Sequence, residues 1–253
     1  MKTQKTTAAS LMMIAAMMLG SSLQAQDPRE IIKKMEDNMR GDANYAELTM
    51  ETVRPRYTRD ISLKSWSLGD DYSLIYVTAP ARDKGTAFLK RGNEIWNYVP
   101  NIDRTVKMPP SMMSQSWMGS DFTNDDLVRG VSTVDDYTHT LLGSEIVDGH
   151  NSYKIEMIPK PEAPVVYEKV IYWVTKEHYL PVKVENYDEF GDLVSTINFR
   201  DIKNMGGRMI PAVTEMIPEG RPGHRTILIT HKSDYNINLT ESFFSQQRMR
   251  EVR

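Results

Sequence analysis

The stretch Met108-Pro109-Pro110-Ser111-Met112-Met113-Ser114-Gln115-Ser116-Trp117-Met118-Gly119-Ser120-Asp121-Phe122-Thr123-Asn124-Asp125-Asp126-Leu127-Val128-Arg129-Gly130 interrupts a chain that otherwise reads as antiparallel strand. Pro109 and Pro110 cannot donate to a sheet ladder and suit the entry to a short helix. Met112, Met113, Ser116 and Trp117 then fall at helical spacing and form one apolar stripe. Gly119 stands where a C-cap belongs. Thr123 and Asp126 have capping-box spacing for a second short helix ending near Gly130. Of seventeen methionines, twelve follow residue 25, and Met108, Met112, Met113 and Met118 lie here beside Trp117. Thioethers repack against partners of variable shape. Two readings follow: a helical insert that plugs one end of a β-core, or a flexible apolar lid over a cavity that holds acyl chains.

Upstream of this stretch, the first 25 residues stand outside the fold. Lys2 and Lys5 make a basic start, residues 8–19 are apolar, and cleavage after Ala25 fits a secretory signal peptide. An uncleaved anchor is the alternative, although the apolar run is short for a bilayer. The chain has no cysteine, which excludes a lipid-modified N-terminus, disulfides and thiolate metal sites. Losing two lysines with the leader takes the formal charge from −3 to −5, which argues against nucleic acid as a partner. The remainder, 26–253, suits one all-β domain and a diffusible exported protein.

Asp27, Pro28 and Glu30 open a helix that Gly41 closes, with Ile31, Ile32, Met35 and Met39 on its packing face. Strands are expected at 45–53, 61–68, 72–78, 86–90, 94–99 and 104–107. A second set is expected at 137–147, 152–158, 165–175, 180–187, 193–203, 208–217 and 224–235. Asp148-Gly149 carries the strongest hairpin signal. Ile61 and Leu63 are out of phase with Trp66 and Leu68, which predicts a bulge near Lys64 or Ser65. Residues 165–175 are apolar on both faces, as in a strand buried on both sides. Phe243 and Phe244 are expected to dock as a last turn of helix. Hairpin spacing with no βαβ pattern predicts a mainly β fold. Its form is one large curved antiparallel sheet or an incomplete barrel, with an N-terminal helix and a short helical lid at about 108–130.

The sequence has no nucleophile elbow and no cysteine nucleophile. Its five histidines are scattered. Asp121, Asp125 and Asp126 are the strongest acidic group, yet they lack the glycine and closing glutamate of a calcium loop. Helix capping accounts for Asp125 and Asp126. No cofactor or metal is expected. Arg54, Arg56 and Arg59 flank Pro55 and suit either a lipid phosphate or a solvated loop.

Met118-Gly119-Ser120-Asp121-Phe122-Thr123-Asn124-Asp125-Asp126-Leu127, after a leader and a helix and inside an antiparallel chain, resembles the outer-membrane lipoprotein-sorting protein family with its LolA/LolB-like fold. The resemblance runs from about Asp27 to the tail, and Gly-Ser-Asp-Phe-Thr is its most specific part. It implies a half-open β-barrel closed by a helical lid, and a monomeric periplasmic carrier of lipoprotein acyl chains or other lipids. It also implies an inner-membrane transporter of the resistance-nodulation-division type and an outer-membrane acceptor as partners. The chain is longer than the best-understood carriers and its lid motif differs, so lipoprotein, phospholipid and other hydrophobic cargo stay open.

On this reading Met108, Met112, Met113, Trp117, Met118, Phe122 and Leu127 contact lipid from the lid, and Arg54, Arg56 and Arg59 meet a headgroup. Replacing Met112 and Met113 by Asp is then expected to cost cargo retention and leave the sheet folded. The alternatives are an accessory binding module of an envelope transporter complex that carries nothing, and a hydrolase using Asp121 or Asp126.

Overall fold

Asp27 caps the first helix, α1 (Pro28–Arg40), by accepting the Arg29 N–H at 2.9 Å. Pro28 occupies the first turn, where no amide hydrogen is needed. Gly41 ends the helix at φ 65, and its N–H donates to the Asp37 carbonyl. Ile31, Ile32 and Met35 are buried. The computed structural model describes residues 26–129, 133–163 and 165–251. The leader assigned to the first 25 residues, Gly130 and Pro164 therefore lie outside the described residues.

Among the described residues thirteen strands follow: β1 (Ala43–Arg54), β2 (Tyr57–Leu68), β3 (Tyr72–Ala79), β4 (Ala87–Arg91), β5 (Glu94–Val99), β6 (Arg104–Lys107), β7 (Tyr137–Val147), β8 (His150–Pro159), β9 (Lys169–Thr175), β10 (Pro181–Tyr187), β11 (Leu193–Met205), β12 (Arg208–Pro218) and β13 (Arg225–Asp234). They form one open, curved antiparallel sheet in the order β6-β5-β4-β3-β2-β1-β13-β12-β11-β10-β9-β8-β7. The chain runs out through six strands to one edge, crosses, and returns through seven until β13 pairs with β1. This is an up-and-down cycle left unclosed between β6 and β7, the two edges. In the chain, the quoted stretch lies between these two edge strands. At Asp148-Gly149 both residues have positive φ, 49 and 83, as a two-residue hairpin between β7 and β8 requires.

The phase change in β2 has another cause than the expected bulge. The β1–β2 register is continuous through Lys64 and Ser65, and the β2–β3 irregularity lies between Ser62 and Leu63. Ile61 and Leu63 join a cluster with Met50, Val77 and Phe88. Trp66 and Leu68 pack on the opposite face, against a cluster holding Leu74, Leu89, Phe244 and Met249. The tail supplies that cover: a turn at Glu241–Phe243 and a short helix, α2 (Gln246–Glu251), with Phe244 and Met249 fully buried. A strand covered on different faces at its two ends shows this phase change with no bulge at Lys64 or Ser65.

Strand β9 is buried on both faces, though it starts at Lys169 rather than residue 165. Val170 and Val174 pack with α1, and Ile171 and Trp173 form a cluster on the other side. Lysine stems roof that outer cluster, with Lys154 and Lys183 amines 4.8 and 4.6 Å from the Trp173 ring.

Candidate functional site

Two elements cover the inner face of the sheet. Helix α1 packs on β7–β10 through Ile31, Ile32 and Met35. The 108–129 segment packs on the β1–β5 half, where Met108, Met113, Trp117 and Val128 join Met50, Ile61, Leu63 and Ile95. The stripe read as helix is two 3₁₀ turns, Pro110–Met112 and Trp117–Gly119, with Met118 left-handed at φ 49. Two prolines and a glycine allow only short turns here. Between and after them the segment is stapled to itself. The Trp117 N–H donates to the Phe122 carbonyl at 2.8 Å, and Asn124 Nδ2 donates to the Met112 carbonyl at 2.8 Å. The capping box is present: the Thr123 N–H donates to Asp126 Oδ2 at 2.7 Å, and the Asp126 N–H donates to Thr123 Oγ1 at 3.1 Å. It opens a single helical turn of π type, Asp125–Arg129.

Arg54 and Arg59 reach this cover, not solvent. Arg54 Nη1 donates to Asp121 Oδ2 at 2.8 Å and its Nη2 to the Gly119 carbonyl at 3.1 Å. The two side chains are 11% and 1% exposed. Thr226 Oγ1 donates to the same carboxylate oxygen at 2.7 Å. Arg59 donates to the Met118 carbonyl and to Asp83, both at 2.9 Å. Arg56 is exposed. Asp121 thus serves as an anchor and Asp126 as a cap.

Trp117 is fully buried, with its ring centroid 5.2 Å from that of Phe88. Among the described residues, its indole N–H and Asp121 Oδ1 are buried without hydrogen-bond partners, each a cost of about 1–3 kcal/mol against the closed arrangement. Met113 is 3% exposed, whereas Met112 is only partly buried. The two methionines therefore divide. Met113→Asp is expected to cost about 3–5 kcal/mol, as an unpaired buried charge does. Met112→Asp is expected to cost under about 1 kcal/mol. Urea unfolding midpoints of the two single variants check this.

Two cavities lie under these covers. The larger, about 370 Å³, is bounded by Met35 and Met39 of α1, by Phe122, Asp125, Asp126 and Leu127, and by inward residues of β7–β13 such as Tyr137, Met157, Tyr172 and Phe199. The smaller, about 240 Å³, lies under Trp117 and Leu127 against Leu48, Leu63, Ser65, Ser67, Ser73 and Ile75. Leu127 and Leu228 line both, so the two spaces adjoin across this pair. The smaller chamber exists because Ser65, Ser67 and Ser73 stand where longer apolar chains would fill the inner face. Together the two fall within the roughly 300–1,000 Å³ of ordinary ligand sites.

Of the seven residues assigned to lipid from sequence, Phe122 and Leu127 line the larger chamber and Trp117 and Leu127 the smaller. Met108, Met112, Met113 and Met118 pack around them without lining either. The wall supplied by α1 and by β8–β11 is not among the sequence candidates. Its signal was the inward set of the alternating strands, such as Met157 and Val184, together with the paired thioethers Met35 and Met39.

Burial pushes the Asp126 carboxyl above its ordinary range, against the lowering effect of the Thr123 hydrogen bonds. Burial likewise pushes the phenols of Tyr137, Tyr167 and Tyr172 up.

A family described as an uncharacterized protein matches residues 69–251. Among solved structures, a DUF1329 family protein from Desulfovibrio piger is 26% identical, with a TM-score of 0.81 over 88% of this chain and 99% of that one. A domain named for outer membrane lipoprotein sorting, from Vibrio parahaemolyticus, is 25% identical with a TM-score of 0.78, over 88% and 98%. A LolA superfamily protein from Nitrosomonas europaea shares the fold at 24% identity and a TM-score of 0.76, over 88% and 99%. No curated protein matches the sequence.

Proposed function

Because this chain belongs to the family whose model matches residues 69–251 and has the LolA-like fold of a domain named for outer membrane lipoprotein sorting, we propose that it is a periplasmic carrier that shelters lipid or lipoprotein acyl chains without catalysis. The observation that carries this reading is the pair of adjoining chambers between the sheet and its pinned cover. A core that served stability alone would fill the space that three serines leave open. Shielding a hydrocarbon chain from water is worth about 0.8 kcal/mol per CH₂, and a bilayer offers much the same. Such a carrier holds cargo in water and gains little over a membrane. It therefore depends on a donor that delivers the lipid and an acceptor that takes it, an inner-membrane resistance-nodulation-division transporter and an outer-membrane receiver in this reading. Residues 26–253 act as one monomeric unit, the Asp125–Leu127 turn and Trp117 roof the cargo, and Arg56 is the arginine left to meet a headgroup.

The test fills the smaller chamber from its wall. Ser65→Leu with Ser67→Leu is expected to keep the fold and to abolish uptake of a fluorescent acyl lipid from vesicles, while the native chain takes it up and releases it to acceptor vesicles. A native chain that exchanges no lipid, yet co-purifies in a stable envelope complex, would establish the accessory-module alternative. Unchanged uptake in the filled variant would show that the chamber is not the site.

A further inference from the structure

The turns after β12, β1, β3 and β5 lie at one end of the sheet and follow one another in strand order. They join into a continuous rim. A Cβ added at Gly223 would touch the Pro55 ring, Asp83 accepts from Arg59 of β2 at 2.9 Å, and a Cβ added at Gly85 would touch the Pro100 ring. The cover is tied to the same end, since Arg54 and Arg59 hold the Gly119 and Met118 carbonyls.

Most basic side chains elsewhere are engaged with carboxylates, carbonyls or rings, as in Arg200 with Glu215, Arg91 with the Phe244 carbonyl and Lys169 over Tyr187. On the rim, Arg56, Lys84, Arg104 and Arg221 are exposed and make no ion pair, side-chain hydrogen bond or ring contact among the described residues. One stands on or beside each turn. The exposed acids next to them without an ion pair are Asp60 and Glu219, whereas Asp83 faces Arg59 and Arg82, and Asp103 faces Arg250. Two large apolar side chains stand out among these bases: Tyr57, 57% exposed, and Ile102, 61% exposed.

We propose that this rim docks the protein on an anionic lipid surface, with Tyr57 and Ile102 entering the headgroup layer and Arg56, Lys84, Arg104 and Arg221 meeting lipid phosphates. This goes beyond the carrier reading and does not require that the chambers hold lipid. Tyrosine, apolar in its ring and polar at its tip, settles at the level of lipid headgroups. Each basic side chain near an anionic leaflet adds to binding within a Debye length. A membrane suits the rim better than an acidic protein does. A stable protein interface takes about 800 Å² from each partner, whereas separate turn tips can each enter between headgroups. The whole chain carries a formal charge of −3, so an anionic surface attracts the rim and repels much of the rest, which orients the molecule. Docking here sets the cover beside the bilayer.

The protein, isolated after export, is floated with vesicles of phosphatidylcholine alone and with vesicles of equal parts phosphatidylcholine and phosphatidylglycerol. It is expected to bind the mixed vesicles about fivefold or more tightly than the neutral ones, and to lose that difference in high salt. Lys84→Ser with Arg104→Ser should weaken binding to the mixed vesicles about tenfold. Tyr57→Ser with Ile102→Ser should do so by about the same factor. Phe190 is the control: it is 81% exposed on the neighbouring turn between β10 and β11, but stands among Asp188, Glu189 and Asp192. Phe190→Ser should leave binding unchanged. Equal binding to both vesicles, or an equal loss in Phe190→Ser, would overturn the proposal. Failure to float with either vesicle would overturn it and leave the rim to an acidic protein. Uptake of the fluorescent acyl lipid, scored on the same protein, keeps the two readings apart. Uptake without preference for the anionic vesicles leaves the carrier and removes the docking rim, and anionic binding without uptake does the reverse.

Discussion

Trp117→Ala is expected to cost about 3–5 kcal/mol of stability, the range for deleting a large buried aromatic, or roughly 10 °C in thermal midpoint for a chain of this size. The indole has no exposed surface. It touches Phe88 and sits in a cluster fed by β1, β2, β3, β4 and β5. The segment that covers the inner face is therefore fastened through its own largest side chain, and little of its backbone lies in regular helix. Trp117→Phe keeps most of the packing and removes the unpaired indole N–H, so it should cost under about 2 kcal/mol. Calorimetry of both variants decides the point. A loss under about 1 kcal/mol for the alanine variant would mean that the cover floats on the sheet and contributes nothing to its core.

Arg54→Ala is expected to act on the same cover by a different route. Removing the guanidinium leaves the Asp121 carboxylate, 1% exposed, with Thr226 but without its cation. Breaking a buried pair on one side costs about 3–5 kcal/mol because the remaining charge is stranded. The anchored turn has an alternative that the rest of the sheet lacks: it can lift and let Asp121 reach water. The cost should then appear as local opening, with amide exchange around residues 117–126 faster by about 10²–10³, and with the β9–β12 amides unchanged. Arg54→Ala combined with Asp121→Ala should be less destabilised than the two single variants sum to, since neither charge is stranded. Additive losses, or protection of residues 117–126 kept in Arg54→Ala, would show that the arginine does not hold the cover down.

Much of this architecture follows from local chemistry. Asp27 and Pro28 set the start of α1 and Gly41 its end, because caps and helix breakers act within a turn. Asp148-Gly149 fixes the β7–β8 hairpin, because both positions need positive φ. Thr123 and Asp126 meet in their capping box across three residues. Where a partner lies far along the chain, the pattern misleads. Trp66 and Leu68 look like a slipped register because residues 243 and 244, which cover them, are about 180 positions away. Arg54 and Arg59 look like a solvated loop because Asp121 and Met118 lie some 60 residues on.

The sequence by itself determined the strand meander, the caps and hairpin turns, and the apolar, cysteine-free segment that breaks the sheet pattern. Each of these is decided by neighbours within a few residues, so the residues present suffice to specify it. Only the tertiary structure decided which strands, β6 and β7, form the open edges, that Trp117 is core and cover at once, and that the space beneath is two chambers whose charged lining, among the described residues, stands in one. The reason is steric and electrostatic: alternation says which side chains share a face, but whether that face meets protein, water or a cavity depends on segments brought together from distant parts of the chain.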